Sequence, residues 1–284
     1  MSAAEIETHR SMVKAWECDS FGHFTVAYYF DRVADASATA RESFRVPAGW
    51  SSLEYLARFV SELRAGEVFH VGSGIIAVED AALRIGHRLV NSATGKVCTT
   101  IEEHLVAKPG AAAFSANDRA TLEKHAISWE KSKEDPGLAE DATDGFVVTA
   151  QDRVRPAELD CTGHLGLPGY VHRSSIGCIQ LLTAMGLSPD YLREFHRGFS
   201  TFEIMLRLEE PGPIAGDALT VISGLMQLGM SSVRMIHHVT DASSGRRVAT
   251  LRQSGVHFDL EARRSTAIPD DLRTKAAGLV LRGA

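Results

Sequence analysis

The sequence predicts an α+β protein built from two copies of one unit, each a helix laid across a strongly bent antiparallel sheet. Three observations predict it. A short block near the N-terminus recurs in the second half, a helix-period stretch follows that block both times, and strand-like segments follow each helix.

The recurring block comes first. Glu17-Cys18-Asp19-Ser20-Phe21-Gly22-His23 matches Glu158-Leu159-Asp160-Cys161-Thr162-Gly163-His164 at an offset of 141 residues. Val13-Lys14 and Val154-Arg155 precede the two blocks in register, and Tyr29 and Tyr170 follow them. Phe59, Leu63 and Arg64 match Phe202, Leu206 and Arg207 at an offset of 143. At an offset of 150, Ala65-Gly66-Glu67 matches Ala215-Gly216-Asp217, and Arg84, His87, Asn91 and Gly95 match Arg234, His237, Asp241 and Gly245. Chance supplies one such block, not four in the same order. The chain is read as an internal duplication.

Each element then follows from local pattern. A short strand is expected near 10–17, then the loop from Asp19 to Thr25. From about Val26 to Phe44 the apolar positions Phe30, Val33, Ala34, Ala38 and Phe44 gather on one helical face. Strands are expected near 54–64, 67–79, 82–91 and 96–107; Leu83, Ile85, His87 and Leu89 alternate with Arg84, Gly86 and Arg88, the period of a half-buried strand. Ser92-Ala93-Thr94-Gly95 is a hairpin turn, answered by Asp241-Ala242-Ser243-Ser244-Gly245. The second half repeats the plan, with strands near 147–157, 199–209, 216–228, 232–241 and 246–259 and a helix near 170–186 that Gly186-Leu187-Ser188-Pro189 stops. These boundaries give a first repeat over 1–108, a linker over 109–146 with a short helix capped by Ser115 and Asp118, and a second repeat over 147–284.

Composition excludes several classes. With 44% hydrophobic and 23% charged residues the chain is globular, and a net charge of -6 offers no general field for nucleic acid or anionic lipid. No apolar run approaches a membrane span, and the N-terminus lacks a basic start and an apolar core, so a cytoplasmic location is expected. Four cysteines without a C-x-x-C pair are no disulfide framework, and the twelve histidines show no ligand spacing, so no metal is expected. His237 and His238 point to opposite faces of a strand. Gly-x-Ser-x-Gly is absent, and Gly72-Ser73-Gly74 is too short for a dinucleotide loop.

The block Asp19-Ser20-Phe21-Gly22-His23-Phe24-x-x-Ala27-x-Tyr29 resembles the signature loop of the 4-hydroxybenzoyl-CoA thioesterase-like branch of the hotdog superfamily. In that branch Asp-x-x-Gly-His leads into the central helix, often with two Asn residues before Ala-x-Tyr. Here Thr25 and Val26 stand at the Asn positions, and the second copy carries Gly166, Leu167 and Pro168 at its helix entry. The resemblance implies a tandem, double-hotdog fold and hydrolysis of an acyl-CoA thioester without a separate cofactor. It also implies that the loop Asp is general base or nucleophile, at Asp19 in the first copy and Asp160 in the second, with helix-start amides polarising the carbonyl. A fused pair does covalently what a hotdog dimer does, so a monomer acting as a pseudo-dimer, or a higher homo-oligomer, is expected.

The chemistry suits these residues in its own right. A carboxylate at a loop-to-helix junction activates water or attacks a thioester carbonyl, because thiolate leaves readily. Gly22 permits close backbone approach, free N–H groups at a helix start stabilise an oxyanion, and His23 orients a water, holds Asp19 or contacts substrate. The competing reading is that Asp19 and Asp160 close turns or cap helices, with His23 and His164 as structural histidines. Glu17 and Glu158 recur as strand charges facing solvent; His87 and His237 pack inside the sheet; Tyr29 and Tyr170 pack the helices. Phe24, Phe30 and Phe59 point to a small or medium acyl group. Two rivals remain: an enoyl-CoA hydratase or dehydratase on the same fold, whose longer Asp/His motif is absent, and a non-catalytic acyl-thioester binding module.

Overall fold

The computed structural model describes residues 4–19, 21–130 and 145–281, and divides into two compact units, Met1–Ser132 and Lys133–Ala284. In the first unit β1 (Ile6–Met12), β2 (Trp50–Phe59), β3 (Val68–Val78), β4 (Ala82–Asn91) and β5 (Val97–Ala107) form a sheet in the order β1-β3-β4-β5-β2, antiparallel throughout. α1 (Val26–Ser43) lies across it and buries Ala27, Phe30, Val33, Ala36, Ser37 and Ala40. The helix-period stretch and the hairpin turn fall where local pattern puts them. The β4–β5 turn is closed by Asn91 Oδ1, which accepts from the amides of Ala93 and Thr94 at 3.0 and 3.1 Å.

α2 (Ala116–Lys124) is capped by Ser115 and Asp118 as its sequence predicts, and it belongs to the packing of this unit. Its Leu122 joins Ala40, Phe44, Trp50, Ile75, Leu83, Ile85, Leu105 and Phe114 in one core cluster. The chain beyond it straps the sheet, with Ile127 N donating to Ile75 O at 2.9 Å. The strap lies so close that a Cβ on Gly74 would sit 2.4 Å from Ile127, and one on Gly86 2.5 Å from Trp129.

The second unit repeats this plan. β6 (Val147–Arg153), β7 (Arg197–Leu208), β8 (Ala218–Leu228), β9 (Ser232–Asp241) and β10 (Arg247–Asp259) take the order β6-β8-β9-β10-β7, with the two-residue β11 (Arg264–Ser265) on β10. α3 (Leu167–Met185) packs on this sheet and stops at Gly186, whose φ of 96° is the left-handed conformation expected there. Two helices escaped the sequence reading: α4 (Pro189–Phe195), entered through Ser188, and α5 (Asp270–Ala277). α5 is the counterpart of α2. It is followed by a strap in which Leu281 N donates to Leu225 O at 2.8 Å. One helix on a bent antiparallel sheet, once in each unit, is the double hotdog.

Strand register corrects one part of the repeat alignment. Phe59 pairs with Thr99 and Leu208 with Ala249, and Thr99 and Ala249 are equivalent at the offset of 150. Phe59 therefore corresponds to Leu208 and not to Phe202. Likewise Leu63 O accepts from Phe24 N at 2.8 Å, whereas Pro213 O accepts from Leu165 N, so Leu63 corresponds to Pro213. The offset of 143 was a coincidence of residue types.

Between α1 and its sheet runs a buried polar chain. Thr8 Oγ1 and Ser73 Oγ lie 2.7 Å apart, Ser73 Oγ is 2.8 Å from His87 Nδ1, and His87 Nε2 is 3.1 Å from Glu103 Oε2. Ser37 of α1 donates to Glu103 at 2.8 Å, and Ser52 and Tyr55 also donate to it. Burial alone pushes the Glu103 carboxyl up; the His87, Ser52 and Ser37 hydrogen bonds outweigh it and hold the group below its ordinary range. The second unit has a neutral version. Thr149, Ser223 and His237 repeat the chain, but Gln253 stands at the position of Glu103 and donates to Thr201 at 2.6 Å. Among the described residues His237 Nε2 has no hydrogen-bond partner, and burial lowers this histidine to about 3. His238, on the opposite strand face against Phe146, is lowered to about 4 by burial and by Arg247 and Arg252.

This difference is expected to make the second unit the more acid-sensitive, although burial lowers His9 and His70 of the first unit in the same direction. A histidine of unfolded value about 6.5 that stays neutral in the fold adds stability fully present above pH 6.5, and loses it as pH falls towards the folded value. For His237 alone, going from pH 7 to pH 5 is expected to remove about 2 kcal/mol, with His238 acting in the same direction. Trp16, Trp50 and Trp129 all lie in the first unit, so tryptophan fluorescence follows that unit by itself. Hydrogen exchange at pH 5 should show β9 and β10 losing protection while tryptophan emission stays native. Loss of both together would contradict a unit-specific effect.

Candidate functional site

The loop from Asp19 to His23 is a tight hairpin at the mouth of α1. Cys18 and Phe24 form an antiparallel bridge, Asp19 N donates to His23 O at 2.8 Å, and Gly22 N donates to Asp19 O at 3.0 Å. Gly22 has a φ of 73°, and nothing lies within 4 Å of where its Cβ would be. The left-handed backbone therefore calls for glycine here, and the space around it is open. Gly163 repeats this with a φ of 82°.

Asp19 is exposed, and its Oδ1 accepts from the amides of Phe21 at 2.8 Å and His23 at 3.0 Å. The turn-closing role is real. It occupies one oxygen, and among the described residues no donor reaches Oδ2. Asp160 does the same for its loop, accepting through Oδ1 from Thr162 N, Thr162 Oγ1 and His164 N at 2.8, 2.6 and 3.3 Å. Neither helix entry is capped by a side chain: Thr25 and Gly166 hold the N-cap positions without one. The first amides of α1, at Val26 and Ala27, are helix-start donors that no turn of the helix itself satisfies. In α3 the second position is Pro168, which has no N–H to offer.

The histidines differ more. His23 and Arg64 face each other in an antiparallel bridge, with Arg64 Nη2 donating to His23 Nε2 at 2.8 Å and Glu62 Oε2 at 3.3 Å from the same nitrogen. Phe21 lies beside the ring, 6.2 Å between centroids. In the second repeat the corresponding residues are Gly212 and Ile214, and His164 Nδ1 lies 3.1 Å from Thr162 Oγ1 instead. Glu62 and Arg64 were missed because no local pattern links them to His23; only the bridge between His23 and Arg64 brings them to the loop.

Glu17 and Glu158 are not solvent-facing strand charges. They end short 3-10 turns, Ala15–Glu17 and Pro156–Glu158, and reach a helix arginine. Glu17 binds Arg32 of α1, and its Oε2 accepts from Lys14 N at 2.9 Å. Glu158 accepts from Arg173 of α3 at 2.8 and 3.2 Å, and from Arg155 N at 2.8 Å. Burial pushes the Glu158 carboxyl up, but Arg173 and the Arg155 amide more than reverse it. Each pair fixes the base of its loop, since Thr25 N donates to Glu17 O and Gly166 N to Glu158 O, both at 2.9 Å. Tyr29 and Tyr170 are buried helix residues, and Tyr29 OH accepts from Leu63 N at 3.3 Å.

A second constellation was not foreseen. Ser73, His87 and Glu103 stand in the order of a serine-hydrolase relay, but all three are fully buried and the Ser73 hydroxyl is shared with Thr8. It fastens α1 to the sheet and presents no nucleophile to solvent. Among the described residues no group of three or more His, Cys, Asp or Glu is placed to hold a metal ion, and no helix is long and apolar enough to cross a membrane.

Comparison with known proteins agrees with the fold. Residues 154–276, the greater part of the second repeat, match the family model of the thioesterase-like superfamily. Three solved structures share the double-hotdog fold over most of the chain. A Lactobacillus plantarum protein described as an oleoyl thioesterase is 13% identical, covering 90% of this chain and 98% of its own at a TM-score of 0.66. The 12:0-ACP thioesterase from Umbellularia californica is 12% identical (89% and 94%, TM-score 0.63). An acyl-ACP thioesterase from Bacteroides thetaiotaomicron is 10% identical (89% and 98%, TM-score 0.64). At these identities the likeness is one of fold. No curated protein sequence matches this chain.

Proposed function

We propose that this double-hotdog protein hydrolyses an acyl thioester, a small or medium acyl-CoA, at the loop of its first repeat. The observation that carries the reading is the Asp19 carboxylate, held at an uncapped helix start with one oxygen fastened by backbone amides and the other left for chemistry. Asp19 Oδ2 acts as general base on water or as nucleophile on the thioester carbonyl. The Val26 and Ala27 amides stabilise the negative charge that develops on its oxygen, and the thiolate departs without a strong general acid. His23 assists beside them. The match of the second repeat to a thioesterase-like family and the shared fold support this reading.

The second loop keeps Asp160, Gly163 and His164 but has lost the charged neighbours of its histidine and one helix-start amide. We assign it the lesser role. The test is thiol release from a panel of acyl-CoAs with short, branched, aromatic and long chains, run beside acyl-carrier-protein thioesters. Turnover of short or medium acyl-CoAs is expected. Turnover of carrier-protein thioesters alone would move the carrier assignment. Tight CoA binding with no turnover, or a hydroxyacyl product from an enoyl-CoA, would replace the hydrolase reading with one of its rivals.

A further inference from the structure

His23 Nε2 has two neighbours that make incompatible demands on it. Arg64 Nη2, at 2.8 Å, is only a donor, so this contact requires an unprotonated Nε2 with a lone pair. Glu62 Oε2, at 3.3 Å, is an acceptor when ionised, so a hydrogen bond to it requires a proton on that nitrogen. One ring nitrogen satisfies only one of them at a time. The Arg64 contact is shorter, and the main chain enforces it: His23 and Arg64 are bridge partners, and Phe24 N donates to Leu63 O at 2.8 Å.

The geometry points to Arg64 as a positioning residue that fixes the tautomer of His23, keeping Nε2 as an acceptor and the ring proton on Nδ1. The assignment rests on the reading of the first loop as the reacting site, and it divides the labour there. With Nε2 occupied by Arg64 and Nδ1 protonated, His23 has no free lone pair, so it is a hydrogen-bond donor to substrate and not a base. Asp19 is then the base or nucleophile of the loop. Glu62, 3.8 Å from Arg64, serves as counter-ion to the guanidinium and as the alternative partner of Nε2 when that guanidinium is drawn away. Among the described residues the charged groups in contact with His23 are these two and, at its backbone amide, Asp19 of its own loop. The second repeat, with Gly212 and Ile214 at the two positions, has no such device.

The experiment needs no substrate for its main readout. Nitrogen-15 NMR of the imidazole rings, with His23 assigned through His23→Gln, reports which nitrogen carries the proton. In the wild-type protein His23 is expected to show a protonated Nδ1 and an unprotonated Nε2. In Arg64→Ala the proton should appear on Nε2, facing Glu62; Arg64→Lys, which keeps a donor, should restore the wild-type pattern, and Glu62→Gln should leave it in place. A protonated Nε2 in the wild-type protein, or an Arg64→Ala spectrum unchanged from it, overturns the proposal. On the best substrate of the panel, Arg64→Ala should lower kcat more than it raises KM. If no thioester is hydrolysed, the functional reading fails while the tautomer is still measured, so the two failures are distinguishable.

Discussion

Asp19→Ala should lower kcat/KM for thiol release by about 10²–10⁴-fold, the range expected when a positioned base is removed. Asp160→Ala should cost under about tenfold on the same substrate. Both residues tie their loops through Oδ1, so alanine removes a structural acceptor as well as a charge. Asparagine separates the two effects: Asp19→Asn keeps a carbonyl for the amides of Phe21 and His23 but supplies neither base nor nucleophile. A turnover as low in Asp19→Asn as in Asp19→Ala assigns the loss to chemistry. Activity that survives in the asparagine variant leaves Asp19 only its turn-closing role. Equal losses at Asp19 and Asp160 would make both loops working sites, contrary to the asymmetry expected from Glu62, Arg64 and Pro168.

Glu17→Ala is expected to give a large loss of stability in the first unit. Removing one partner of a buried ion pair costs about 3–5 kcal/mol, because the other charge stays out of water without compensation. The side chains of Arg32 and Glu17 are 11% and 3% exposed. Arg32 also keeps Asp31, which places the expected loss near the lower figure, about 3 kcal/mol. Urea unfolding followed by tryptophan emission reads the first unit directly. The double variant Glu17→Ala/Arg32→Met should recover much of the loss, since replacing both charges by apolar groups is far less costly than stranding one. A double variant no more stable than Glu17→Ala would mean that Glu17 acts chiefly through its hydrogen bond from Lys14 N, and not through Arg32.

How much was legible in the sequence follows the reach of each interaction. The duplication shows as repeated residue strings, and both long helices, the hairpin turns, the cap at Ser115 and the left-handed stop at Gly186 depend on residues within a few positions of one another. Period and turn chemistry display these directly. Asp19, Gly22 and His23 were legible for the same reason: a five-residue hairpin is local, and its second copy stands in the same chain. The short α4 and α5 were not, because a helix of seven or eight residues shows little period of its own and depends on packing.

Tertiary structure alone decided the partners of the charged groups. Glu17 finds Arg32 only because a 3-10 turn and the first turns of α1 are folded against each other, across a gap of fifteen residues. Glu62 and Arg64 reach His23 through a bridge that no local pattern announces. Ser73, His87 and Glu103 meet because β3, β4 and β5 pair in one particular register. Sequence by itself determined the repeat, the elements and the loop that presents Asp19, since these arise from short-range backbone preference and hydrophobic period. The register between strands, and with it the surroundings of His23, Glu17 and Glu103, is chosen by burial across the whole sheet, where a shift of one residue turns every side chain to the other face.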